Sequence, residues 1–356
     1  MRVLIAGGGT GGHLYPGIAL ARELQRRDAA AEVSFVGTAT GLEARVIPRE
    51  GFPLDLIRSA GLKGKSIASR LRGLALLPLS ALDAWQVIST RRPAVVVGVG
   101  GYSSGPVLAL AALRRYPTMV LEQNALPGIT NRLLSPLVRA AAVNFEEALR
   151  FFPRTGFVAG NPVRPEFFAP AVMEAHERKV RVLIFGGSQG AHAINLAVVA
   201  AAPQLAASGL ELEITHQTGE RDLSLVRDAY TRAGLDARVE AFLYEMHREM
   251  SRADMVVARA GATTLSELAA AGRPAVLVPL PTATDDHQRK NAEAFARAGG
   301  ATVLDEKALT GESLAGAVLA LARDAERRKA MGDRARMLAR PDAAARIADR
   351  VQALAG

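Results

Sequence analysis

Glycines mark the places in this 356-residue chain where chemistry could happen. Gly7-Gly8-Gly9-Thr10-Gly11-Gly12 runs into His13, and Gly186-Gly187-Ser188-Gln189-Gly190 runs towards His192. A glycine loop between strand and helix lets backbone amides approach a ligand closely, and the helix N-terminus beyond it favours an anion such as a phosphate. Two more loops have the same character: Gly100-Gly101-Tyr102-Ser103-Ser104-Gly105-Pro106, and the stretch from Arg259 through Gly261, Ala262, Thr263, Thr264, Leu265 and Ser266 to Glu267. Glu267 has two readings. Thr264-x-x-Glu267 fits a capping box, in which the carboxylate bonds back to its own helix. Alternatively Glu267 accepts two hydrogen bonds from a ribose diol, just beyond amides that hold phosphates. Glu122-Gln123-Asn124 places a polar cluster at a strand's carboxyl end, where open α/β sheets bind ligands. Gln288 and Asn291 share a helix face and suit sugar hydroxyls, while Asp285 and Asp286 before them suit a helix cap.

Composition narrows the classes. The length fits two domains, and 49% hydrophobic with 22% charged residues fits a globular protein with ample core. Cysteine is absent, which excludes disulfides, zinc-thiolate sites and thiol nucleophiles. The apolar run Val3 to Ala6 is too short for a signal peptide, and no stretch approaches the roughly 20 apolar residues of a membrane span. A net charge of +9 favours anionic partners. With 5% aromatics and no nucleic-acid-binding signature, nucleic acid is not the expected one. Gly7-x-Gly9-x-x-Gly12 matches the dinucleotide fingerprint literally. The next strand, however, ends Phe35-Val36-Gly37-Thr38, without the acid that would hold an NAD ribose.

The elements that must position these loops alternate along the chain. Arg2 to Ala6, Glu32 to Gly37, Ala94 to Val99 and Thr118 to Leu121 read as strands, with a helix over Leu14 to Arg27. The second half repeats the pattern: strands at Val180 to Phe185, Leu212 to His216, Val239 to Phe242, Met255 to Val257 and Ala275 to Val278, with helices from about Ala193 and over Leu223 to Ala233. Arg-Val-Leu-Ile followed by a glycine pair occurs in both halves, at Arg2 and at Arg181. The fold class is therefore α/β, with two doubly wound halves and a boundary near Gly160 to Pro165. A helix over Ala343 to Leu354 is expected to dock on the body. Between Leu56 and Leu82 lie Lys63, Lys65 and Arg70 but no acid, followed by Leu76, Leu77 and Trp85. This stretch reads either as a sheet-packed helix with a basic outer side or as a peripheral patch for an anionic membrane surface.

Gly8 to His13, Gly100 to Pro106, Glu122-Gln123-Asn124, Gly160-Asn161-Pro162-Val163-Arg164, Gly186 to Gly190, Arg259-x-Gly261-Ala262 through Ser266-Glu267, and His287-Gln288 with Asn291 occur together in this order. In that combination the chain resembles the MurG family, the membrane-associated N-acetylglucosaminyltransferases that make lipid II for peptidoglycan. The resemblance implies a GT-B fold with two Rossmann-like domains facing a deep cleft. Residues 1–163 with the C-terminal helix 341–356 would form the acceptor and membrane domain, and 164–340 the donor domain. It implies inverting transfer of GlcNAc from UDP-GlcNAc to the C4 hydroxyl of MurNAc in undecaprenyl-pyrophosphoryl-MurNAc-pentapeptide, lipid I. It also implies no cofactor and no metal, a peripheral location on the cytoplasmic membrane face, and partners among cell-wall synthesis proteins.

Roles carry over position by position. Ser188 resembles the donor-diphosphate contact, Leu243 the backbone position reading uracil, and Glu267 the ribose ligand. Ala262, Thr263, Thr264, Leu265 and Ser266 resemble the helix N-terminus facing phosphates and sugar. Gln288 and Asn124 resemble GlcNAc contacts, and Arg164 a donor-side contact. Thr10, Gly11 and Gly12 would lie near the acceptor's pyrophosphate and the transferred sugar, with Gly9, Tyr102 and Ser103 on the acceptor side. For the base that inversion requires, the candidates are His13 and Glu122, with His13 preferred; His192 is expected to serve helix packing. Leu121 departs from the family's common His, and Thr282 to Asp286 is more acidic than expected. A UDP-GlcNAc 2-epimerase of the same architecture and a non-catalytic nucleotide-sugar sensor are the alternatives.

Overall fold

The computed structural model describes residues 1–59, 76–101, 103–169, 179–187, 190–283 and 286–356. Ser188, Tyr102, Lys63, Lys65 and Arg70 lie outside the described residues. The chain divides into two compact units, Met1–Arg164 with Arg340–Gly356, and Pro165–Ala339.

In the first unit the chain runs β1 (Arg2–Gly7), α1 (Gly11–Arg27), β2 (Glu32–Gly37), α2 (Glu43–Arg49), β3 (Leu54–Leu56), α3 (Leu77–Arg91), β4 (Val95–Gly100), α4 (Ser104–Leu113), β5 (Thr118–Glu122), α5 (Ile129–Leu134), β6 (Ala140–Val143) and β7 (Gly156–Val158). All strand pairs are parallel, in the order β3-β2-β1-β4-β5-β6-β7. Every residue of β4 is buried, as a central parallel strand covered on both faces requires. Helix α1 buries Leu14, Ile18, Ala21 and Leu24, the face that helical spacing picks out.

The second unit runs β8 (Lys179–Phe185), α6 (His192–Ala206), β9 (Glu211–Gln217), α7 (Leu223–Ala233), β10 (Asp236–Glu240), α8 (Met246–Arg252), β11 (Met255–Ala258), α9 (Ala262–Ala271), β12 (Ala275–Leu277), α10 (His287–Arg297), β13 (Ala301–Val303), α11 (Gly311–Ala322) and α12 (Ala325–Arg336). Its strand order is β10-β9-β8-β11-β12-β13, again all parallel. This repeats the order of the first unit's first six strands, with β8 in the place of β1 and no counterpart of β7. The sequence repeat thus marks the first strand of each sheet, beside the point where strand order reverses. The final helix, α13 (Ala343–Ala355), belongs to the first unit and packs on α1. It buries Ala343, Ile347, Ala348 and Val351. Arg27 of α1 holds it through Asp349 (2.6 Å), Gln352 (2.8 Å) and the carbonyl of Ala345 (2.9 Å).

Two local expectations change. The strand expected over Val239 to Phe242 lies earlier, at Asp236–Glu240. It is an edge strand with exposed Asp236, Arg238 and Glu240, so its apolar signal is thin. The apolar pair that drew the reading later, Phe242 with Leu243, sits in the following loop, where Phe242 packs edge-on against Tyr244. Thr264 does not cap a helix: α9 starts at Ala262 with Gly261 as its N-cap, so Thr264 is already inside the first turn and the capping-box reading falls.

Candidate active site

In the first unit, three strand ends build one cluster. Gly8 N–H donates to the carbonyl of Gly100 (3.2 Å), tying the loop after β1 to the end of β4. His13, in the first turn of α1, lies against Gly100. A Cβ there would sit 2.6 Å from His13 Nδ1, and Gly100 also holds φ +97°, so the ring occupies room only glycine leaves. Nδ1 of His13 meets Oε1 of Gln123 at 3.2 Å, and Gln123 Nε2 donates to the carbonyl of Val99 (3.1 Å). Thr10 is the extended N-cap of α1, and Thr10 and Gly12 are exposed.

Sequence reading missed Glu43. Its carboxylate is 1% exposed. It accepts from Gly9 N–H (2.7 Å), Thr38 N–H (2.8 Å) and Thr38 Oγ1 (2.9 Å). Gly8, Gly37 and Gly41 pack so closely around it that a side chain on any of them would collide. The Glu43 side chain thus holds the first glycine loop from within. The Gly9 amide, expected on the acceptor side, is taken by Glu43 and is not presented to a phosphate.

Three further expectations are revised by geometry. Glu122, the second candidate base, is 3% exposed. It accepts from Asn124 N–H (3.0 Å) and Nδ2 (3.3 Å), Gly128 N–H (3.0 Å) and Asn131 Nδ2 (2.9 Å). Four donors on two oxygens make it the anchor of the 124–128 loop. Ser103 is 1% exposed as the N-cap of α4, so its hydroxyl is not offered to an acceptor. Arg164, expected on the donor side, is buried in the first unit, with Glu50 at 3.6 Å and the Tyr15 ring at 4.5 Å.

In the second unit the loop after β8 is pinned to β9. Gly190, at φ +73°, faces the carbonyl of Thr218 so closely that no Cβ fits. Gln217, at the end of β9, donates to the carbonyl of Gly187 (2.7 Å) and accepts from Leu243 N–H (3.3 Å). The Leu243 N–H is thus engaged by Gln217, through a long hydrogen bond. Arg259, 8% exposed, donates to the carbonyl of Val278 (3.1 Å) and pairs with Glu306, fixing the turn between β11 and α9. Asn291 is 2% exposed and donates to the carbonyl of Ala260 (3.4 Å). Gln288 accepts from Leu280 N–H (3.0 Å) through Oε1 and is half-buried. Thr263, Leu265 and Glu267 are buried along α9, while Thr264 and Ser266 are half-buried.

Helix ends carry the electrostatics. α1, α4, α6 and α9 each follow a glycine loop; none has a side-chain cap bond or an acid in its first turn. Among the described α-helices only α11, through the Thr310–Ser313 capping box, and α12, through Asp324, carry a side-chain cap bond, so it is the preceding glycine loop and not the open end alone that sets these four apart. Uncapped N-termini at the carboxyl ends of parallel strands suit phosphate groups. Behind α6 lies a buried relay: Tyr230 OH at 3.0 Å from His216 Nδ1, and His216 Nε2 at 3.1 Å from Asn195 Oδ1. Asn195 Nδ2 donates to Asp222 (2.8 Å) and to the carbonyl of Thr218 (2.9 Å). Desolvation pushes His216 down to about 3, so the ring is neutral. His192 joins the same hub at 2.9 Å from Asp222, a polar contact and not the plain packing expected of it.

Residues 3–143 match the glycosyltransferase family 28 N-terminal domain, and residues 181–347 the glycosyltransferase family 28 C-terminal domain. With two parallel sheets that share one order over six strands, the chain is a glycosyltransferase of the GT-B class. It is 48% identical, over 98% of its length and 92% of the relative's, to the UDP-N-acetylglucosamine--N-acetylmuramyl-(pentapeptide) pyrophosphoryl-undecaprenol N-acetylglucosamine transferase of Anaeromyxobacter sp. (strain K). The crystal structure of Acinetobacter baumannii MurG is similar with a TM-score of 0.74 and 31% identity, covering 99% of each chain. The UDP-GlcNAc 2-epimerase from Neisseria meningitidis, bound to UDP-GlcNAc, shares the fold alone, at TM-score 0.67 and 13% identity over 99% of this chain and all of that one. The chain belongs to the MurG family of UDP-N-acetylglucosamine--N-acetylmuramyl-(pentapeptide) pyrophosphoryl-undecaprenol N-acetylglucosamine transferases.

Proposed function

We propose that this chain moves GlcNAc from UDP-GlcNAc to the C4 hydroxyl of MurNAc in undecaprenyl-pyrophosphoryl-MurNAc-pentapeptide, converting lipid I to lipid II with inversion. The observation that carries this reading is identity of 48% across 98% of the chain to a transferase with that donor and that acceptor in its name, a match that takes in both glycine-loop units. Donor binding falls to Pro165–Ala339. The UDP diphosphate meets the Ser188 loop and the first turn of α9, from Ala262 to Ser266. Glu267 takes the ribose, the Leu243 carbonyl the uracil, and Gln288 the sugar. What supports this is chemical: uncapped helix N-termini stabilise the negative charge that grows on departing UDP.

Acceptor chemistry falls to His13. Its imidazole takes the proton of the C4 hydroxyl as that oxygen attacks C1 of GlcNAc. The bond from C1 to the diphosphate breaks on the opposite face, and UDP leaves with the electron pair. Glu122, spent on four donors, is set aside as base. The acceptor's long prenyl chain also calls for a membrane surface. Leu77, Leu82 and Trp85 on α3 and Leu113 at the end of α4 are exposed, and Arg114 lies 4.1 Å over the Trp85 ring. Apolar side chains beside guanidinium groups suit peripheral binding to anionic lipid on the cytoplasmic face. Among the described residues no helix is long and apolar enough to cross a membrane.

The test is radiolabelled UDP-GlcNAc with and without a lipid I analogue. Label in the lipid product only when the analogue is present supports the transferase. Release of free ManNAc, or binding with no turnover, overturns it.

A further inference from the structure

Gln123 stands in a motif but has no task in the reaction as described so far. It is 3% exposed, and both ends of its amide are engaged. Nε2 donates to the carbonyl of Val99 at 3.1 Å. A carbonyl only accepts, so the amide cannot turn over without setting oxygen against oxygen. Oε1 therefore faces His13, 3.2 Å from Nδ1, and an amide oxygen also only accepts. The proton of the neutral imidazole must then sit on Nδ1, which leaves the lone pair on Nε2. Two backbone features fix the ring's aim. His13 N–H donates to the carbonyl of Thr10 (3.2 Å), and the ring lies in the space left by the missing Cβ of Gly100. The nearby carboxylates are turned elsewhere, Glu43 to Gly9 and Thr38, Glu122 to Asn124, Gly128 and Asn131.

We infer that Gln123 is a positioning residue: by accepting from Nδ1 and anchoring on Val99 it selects the His13 tautomer whose Nε2 receives the acceptor's proton. This rests on the reading of His13 as base. The proton moves from the C4 hydroxyl to Nε2, the imidazolium forms with Nδ1–H still bonded to Gln123, and the proton then leaves to solvent. An amide in this place, unlike a carboxylate, orients the ring without adding charge to the imidazolium's surroundings.

The test compares Gln123→Leu, Gln123→Glu and His13→Ala in the full chain. The readouts are kcat, KM for UDP-GlcNAc, the pH profile of kcat/KM, and ¹⁵N NMR of labelled histidines, with the His13 signals identified by their loss in His13→Ala. Gln123→Leu is expected to lower kcat by about tenfold to a hundredfold, less than the about hundredfold or more expected from losing the base itself, with KM for UDP-GlcNAc within about twofold. Its His13 signals are expected to shift from the Nδ1–H to the Nε2–H pattern. Gln123→Glu is expected to move the acidic limb of the profile to higher pH. Unchanged kcat and unchanged tautomer in Gln123→Leu, with His13→Ala inactive, overturn the inference while leaving His13 as base. Near-wild-type turnover in His13→Ala removes the base and the inference with it. If Gln123→Leu does not fold, an unmoved limb in Gln123→Glu overturns it.

Discussion

Replacing the Glu43 carboxylate by a methyl group would leave the N–H groups of Gly9 and Thr38 facing an apolar gap. Each such orphan costs about 1–3 kcal/mol, so Glu43→Ala is expected to lose about 2–5 kcal/mol in chemical denaturation. Glu267→Ala tests a different kind of residue. As the proposed ribose ligand it is expected to raise the Kd for UDP-GlcNAc by about tenfold or more, measured by calorimetry, because two hydrogen bonds to a charged acceptor are lost. Glu267 and His13 stand out as candidates because each follows a glycine loop, and Gln123 because it belongs to the Glu122-Gln123-Asn124 cluster at a strand's carboxyl end. Glu43 is not legible in the sequence, since its helix α2 shows no motif; the signal available is three glycines, Gly8, Gly37 and Gly41, that pack against its carboxylate. Spacing also could not show that Glu122 is spent on backbone and side-chain partners. Hydrogen-bond direction is a property of the folded loops, not of the string.

The elements were legible where burial is uniform and blurred where it is not. β1, β4 and β8 are central strands with continuous apolar runs, and α1 shows its buried stripe directly. β10, at a sheet edge, offered only Val239 as a buried residue and was read too late in the chain. The docked tail was also visible as an amphipathic pattern. Removing its central anchor, Ile347→Ala, is expected to cost about 2–4 kcal/mol, measured by denaturation, since Ile347 is fully buried. The exposed Arg27–Asp349 pair is expected to matter far less. The relay behind α6 makes a pH prediction. His216 is neutral when folded, held down to about 3, but titrates near its ordinary value once unfolded. Below that value the unfolded chain binds the extra proton, so stability falls as pH falls. Between about pH 7 and pH 5 this one group is expected to remove about 2 kcal/mol. A His216→Asn protein, less stable at neutral pH, is expected to lose about that much less over the same range.

At the scale of the whole molecule, one βα plan is used twice, and the proposed function gives its two copies different tasks. The strand orders match over six strands, yet the loops differ: an internal carboxylate, Glu43, fills the first, while the second is pinned by Gln217 and Thr218. That asymmetry supports nucleotide binding in the second unit and proton transfer in the first. Membrane docking belongs to this scale too. Flotation with vesicles containing anionic lipid is expected to fall with salt and with Leu82→Asp or Trp85→Asp, and flotation unchanged by both variants would contradict the patch. The division of labour is tested most directly by His13→Ala at saturating UDP-GlcNAc and saturating lipid I analogue, following label into lipid. The account predicts donor affinity within about twofold of wild type and turnover reduced by about a hundredfold or more. Turnover near the wild-type rate, or a loss of donor affinity matching that of Glu267→Ala, would contradict it.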